Sequence, residues 1–94
     1  MLSETERLAA TTPELQANIK ELRATRDHLN DRVDQLFAAL YTTPAEAAPG
    51  ETVQHVLDGL ELLTVLADLR KADKAIVDCY LQLTRNLRAK LRTL

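Results

Sequence analysis

From Glu51 to Leu94 the chain runs without a proline, and its apolar residues recur at alternating steps of three and four. This pattern constrains the fold more than any other feature, because a 3.5-residue repeat places one apolar stripe along one side of an α-helix. Leu62, Leu66, Leu69, Ile76, Tyr80, Leu83, Leu87 and Leu94 make the stripe, with Asp73 in the place that breaks it. A straight helix of this length spans ~66 Å at 1.5 Å per residue. Such a stripe requires a second long helix, or a second chain, to cover it.

The upstream half supplies that helix. Thr11, Thr12 and Pro13 form a helix start, with Thr12 expected as N-cap, Pro13 at the first helical position and Glu14 in the first turn, where the helix dipole favours an acid. From Pro13 to about residue 42, Leu15, Ile19, Leu22, Leu29, Val33, Leu36 and Leu40 repeat the alternation once Arg26 is counted as the missing member. Ahead of it, Ser3 and Glu6 have the spacing of a capping box, which predicts a short helix over residues 4–10. Between the long helices, Thr43-Pro44-Ala45-Glu46 can cap one turn, and Pro49-Gly50 supplies a stop, so the hairpin loop is expected at 43–50. A loop of that length makes its flanking helices antiparallel neighbours. Gly59 is the soft point of the long helix, a candidate for a kink or a close backbone approach.

The long helix carries more apolar surface than one seam can bury: Val53, Val56, Leu57, Leu60, Leu63, Val65, Val77 and Leu81 lie beside the stripe. The economical arrangement is two hairpins joined by twofold symmetry. The fold expected is therefore all-α: one antiparallel helical hairpin over residues 1–94, with helices at about 13–42 and 51–93, assembling as a homodimeric four-helix bundle. Arg26 and Asp73, the charged interruptions of the two seams, fall within about one helical turn of each other in an antiparallel hairpin, so an ion pair is expected there. The competing reading has both side chains run along the apolar surface to solvent.

Composition narrows function. Phe, Tyr and Trp together make 3% of the chain, leaving few of the side chains that line ligand pockets or stack on bases. His28 and His55 stand in no metal-ligand spacing; the best set, Glu51, His55 and Asp58, reads as the polar flank of a helix start. Cys79 reads as a packing residue. With no glycine-rich phosphate loop and no nucleophile beside a base, neither catalysis nor a cofactor is expected. An enzyme with its site built across a helical dimer, lined by Arg26 and Asp73, is the third reading.

Arg85, Arg88, Lys90 and Arg92 make the last eleven residues basic, with no acid among them, although the whole chain has a net charge of −2. Cations at a helix C-terminus favour the dipole, and an antiparallel hairpin brings the acidic N-terminal segment alongside. A partner-binding basic patch is the sharper reading; it gives the second functional reading, a small nucleic-acid-associated regulator using this end of the helix, which the absence of interleaved aromatics disfavours. No run reaches the ~18 apolar residues of a membrane span, the start lacks a secretory pattern, and a lone cysteine asks for no oxidising compartment, so a cytoplasmic location is expected. The leading functional reading is a non-enzymatic protein–protein interaction module: a small adaptor, secretion-type chaperone or regulatory protein that acts through helix–helix packing as a homodimer.

Overall fold

A computed structural model describes residues 1–41 and 49–93. Among the described residues the protein is all-α, with α1 at Glu4–Ala9, α2 at Thr12–Tyr41 and α3 at Pro49–Arg92. α2 and α3 pack against each other as a helical hairpin. The Thr43–Glu46 turn and most of the expected loop, residues 42–48, lie outside the described residues, as does Leu94.

Local chemistry sets the helix starts. Ser3 Oγ accepts the Glu6 amide at 3.2 Å and caps α1, which ends one residue short of the expected Ala10. Thr11, rather than Thr12, caps α2: its Oγ1 accepts the Glu14 amide at 3.4 Å, and its carbonyl accepts the Leu15 amide at 3.0 Å. Either threonine could cap; with Thr11 in that role Pro13 still sits in the first turn, where its missing N–H is no loss. Pro49 and Gly50 are part of α3 rather than of the loop, because a proline φ suits a first helical turn. Gly59 neither breaks α3 nor meets another backbone: a Cβ built on it has nothing within 4 Å.

The chain divides into two compact units, Met1–Arg26 with Lys71–Leu94, and Asp27–Arg70. In the first, Ala10, Leu15, Ile19, Leu22, Ile76 and Cys79 form a buried core, with Leu2, Ala75 and Leu83 packed against it. In the second, Val33, Leu36, Leu62 and Val65 form the core, flanked by Leu29 and Leu40.

These cores correct the seam assigned to α3. The spacing predicts Leu66, Tyr80 and Leu87 on the buried stripe, yet they are 36%, 47% and 48% exposed. The stripe that α3 buries runs Leu62, Val65, Leu69, Ala72, Ile76, Cys79, Leu83 and Asn86, each of them buried or half-buried. Leu62, Leu69, Ile76 and Leu83 of the expected seam belong to this stripe; Leu66, Tyr80 and Leu87 belong to a neighbouring one. Asp73 is accordingly exposed, and Ala72 occupies the core position beside it. Packing decided the choice. Ala72 and Cys79 are small and let a neighbouring helix approach, and Asn86 donates from Nδ2 to the Ala10 carbonyl at 3.0 Å, satisfying a group at the end of α1.

Candidate functional site

α3 presents two parallel stripes. Moving one residue along a helix turns about 100° around it, so the residue after each core position lies on an adjacent face. That second stripe reads Val56, Gly59, Leu63, Leu66, Arg70, Asp73, Val77, Tyr80, Thr84, Leu87 and Leu91. Its apolar members are left to solvent, from 36% for Leu66 to 67% for Leu91. Val53, Leu57, Leu60 and Leu81, outside both stripes, are also more than half exposed. α2 has no equivalent: its large exposed apolar residues are Phe37 and Tyr41 at the far end of the helix. The unburied apolar surface of the hairpin is thus concentrated on α3.

Within the Met1–Arg26 and Lys71–Leu94 unit, a buried polar link crosses the core. Asn18 is 3% exposed; its Oδ1 accepts the Leu2 amide at 3.2 Å, and its Nδ2 donates to Cys79 Sγ at 3.1 Å. One amide therefore ties the N-terminal segment to α2 and α3, as a buried polar group must find partners. Cys79 is fully buried, which withholds its thiol from reagents. Asn18 is absent from the seam set by apolar spacing, yet it stands three residues after Leu15 and four before Leu22, so helical position alone marks it as core-facing.

Arg26 Nη1 lies 4.0 Å from Asp73 Oδ1, with the side chains 32% and 56% exposed. The two groups are within ionic reach, but on the solvent side of the core and not in a buried seam. A stronger pair, which the apolar pattern gave no reason to seek, lies in the Asp27–Arg70 unit: Arg32 Nε and Nη2 donate to Glu61 Oε1 and Oε2 at 2.8 and 2.7 Å. This two-pronged contact joins α2 to α3 with a defined geometry. Lys74 donates to Asp78 at 3.0 Å one turn on; that hydrogen bond and the Asp78 charge, helped by Glu4, hold the ammonium pKa above its ordinary value.

Arg88, Lys90 and Arg92 are exposed, and Arg85 donates only to Gln82, at 3.5 Å; among the described residues none of the four pairs with an acid. Two clefts accompany the first unit. One, of about 150 Å³, lies between α1 and α3 and is lined by Glu4, Arg7, Asp78 and Arg85 among others; the second, of about 380 Å³, is open and lined largely by Glu6, Glu14, Glu21 and Asn18. Neither joins a nucleophile to a base. Among the described residues no three His, Cys, Asp or Glu side chains are grouped to hold a metal, and no helix is long and apolar enough to cross a membrane. No family model, curated protein or solved structure matches the chain. The physical features of α3 therefore carry the functional argument.

Proposed function

We propose that the protein is a non-enzymatic protein–protein interaction module that acts through helix–helix packing, and that its working form is a homodimer of four long helices. The observation that carries this reading is the second apolar stripe of α3, which a hairpin of two helices leaves uncovered. Monomeric proteins rarely expose contiguous apolar patches beyond a few hundred Å². A face of this kind supports an adaptor, secretion-type chaperone or regulatory protein, whose chemistry is burial of a partner helix.

Light scattering at low micromolar concentration tests the assembly: a mass of two chains is expected, and a monomer mass for a cooperatively folded helical protein overturns the homodimer. A pull-down with the chain as bait, with and without nuclease, tests the partner class. Capture that survives nuclease is expected. Capture abolished by nuclease would instead favour the basic end of α3 as a nucleic-acid contact, a reading supported by four cations that have no acid partner among the described residues.

A further inference from the structure

The second stripe of α3 carries enough information to fix the orientation and register of the homodimer, and that register stands only if the homodimer does. The stripe is apolar except at two adjacent positions, Arg70 and Asp73, and except for two small residues, Gly59 and Thr84. Val56, Leu63, Leu66 and Arg70 belong to the Asp27–Arg70 unit, whereas Asp73, Val77, Tyr80 and Leu87 belong to the other. We propose that these two sets are complementary half-sites: the first set of one copy packs, antiparallel, on the second set of a second copy, with Arg70 against the partner's Asp73.

The register follows from counting. In an antiparallel pair, steps backward along one helix match steps forward along the other. Four residues back from Arg70 is Leu66, and four on from Asp73 is Val77. Three more residues each way bring Leu63 to the partner's Tyr80, the next four bring Gly59 to the partner's Thr84, and three more bring Val56 to the partner's Leu87. From Val56 to Leu87 every apolar residue of the stripe meets an apolar residue, the two small residues meet each other, and each charge meets its opposite. Twofold symmetry repeats the same contacts with the copies exchanged, as an isologous interface requires.

Neighbouring registers lack this property. A slip of one heptad sets Arg70 against the partner's Leu66 or Tyr80, and Asp73 against the partner's Leu63 or Val77, which leaves all four charges on apolar surface. A parallel pair sets Arg70 on the partner's Arg70 and Asp73 on the partner's Asp73, and juxtaposed like charges are costly. The amount of surface also fits: the six apolar side chains that this register covers, Val56, Leu63, Leu66, Val77, Tyr80 and Leu87, leave on the order of 600 Å² uncovered per chain, the larger part of the ~800 Å² per partner of a standard interface. Asp73 already lies 4.0 Å from its own Arg26. Its carboxylate then bridges two guanidinium groups, one from each chain.

Charge reversal tests the register. Arg70→Asp places two acids at each crossing and Asp73→Arg places two bases there, so each variant alone should raise the dimer dissociation constant about tenfold or more. Mixed in equal amounts, the two variants restore both pairs between unlike chains, and the mixture should form a heterodimer of about wild-type affinity. The double variant restores the pairs within a homodimer. Arg70 and Asp73 are exposed in the single chain, so circular dichroism of each variant should keep the helical signal. A monomeric wild type removes the dimer itself and the register with it. A dimeric wild type whose single variants dimerise normally, or whose weakened variants are rescued by neither mixing nor the double exchange, overturns the register and leaves the dimer standing.

Discussion

At the scale of single residues, exposure separates the polar contacts that hold the fold from those that adorn it. Asn18 is the costly one to lose. Asn18→Ala orphans the Leu2 amide and opens a gap beside Cys79, so it should destabilise the protein by about 1–3 kcal/mol in urea unfolding. It should also speed the reaction of the Cys79 thiol with an aromatic disulfide reagent; unchanged stability with an unreactive thiol would show that the amide is dispensable. Arg26 and Asp73 give the opposite expectation. Their separation of 4.0 Å and their contact with solvent place their coupling at about 1 kcal/mol or less. A double-mutant cycle with Arg26→Met and Asp73→Leu reads it directly, and a coupling of several kcal/mol would mean that water is excluded from the pair. Lys74 adds nothing to pH dependence near neutrality. A raised lysine pKa contributes stability that is fully present below the unfolded value of 10.5 and is lost only as pH climbs through the higher folded value.

At the scale of elements, the helices and the hairpin were legible from periodicity and caps, whereas the face that α3 buries was not. Two heptad stripes run one residue apart on that helix, and their apolar content is similar. Spacing alone selected the most hydrophobic path, which crosses between the stripes and takes Leu62, Leu69, Ile76 and Leu83 from one and Leu66, Tyr80 and Leu87 from the other. The core instead takes Val65, Ala72, Cys79 and Asn86. What decided between them lies outside α3: Asn18 on α2, which needs a partner at Cys79, and the Ala10 carbonyl just after α1, which needs Asn86. Neither requirement leaves a mark in the periodicity of α3. Gly59 shows the same limit from the other side, since a lone glycine in a helix pattern reads as a kink until its surroundings are known. With α3 continuous there and no atom of its own chain within 4 Å of an added Cβ, Gly59→Ala should stabilise the single chain by about 0.5–1 kcal/mol, read as a rise in the unfolding midpoint in the Leu63→Glu background. In the wild type, where the proposed register sets Gly59 against the partner's Thr84, the gain should be smaller or reversed; a fall in the Leu63→Glu background would mean that the chain itself does not tolerate the added methyl group.

At the scale of the whole molecule, the question is which apolar residues fold the chain and which assemble it, and two adjacent leucines answer it. Leu62 is 8% exposed within the Val33, Leu36 and Val65 core, while Leu63 is 66% exposed on the second stripe. Leu62→Glu buries an unpaired carboxylate among aliphatic side chains, at a cost that rivals the ~5–15 kcal/mol total stability of a small domain. It should abolish cooperative unfolding at every protein concentration. Leu63→Glu removes apolar surface from the assembly face alone, and its carboxylate stays in water whenever the chain is single. That variant should keep its helical signal at concentrations where its scattering mass is that of one chain, with a lower midpoint than the wild type because dimerisation no longer adds to stability. The wild-type midpoint should rise with protein concentration, and the Leu63→Glu midpoint should not. If the two variants behave alike, both dimeric or both unfolded, then folding and assembly do not divide between the two stripes of α3, and the surface assigned to the partner has been misjudged.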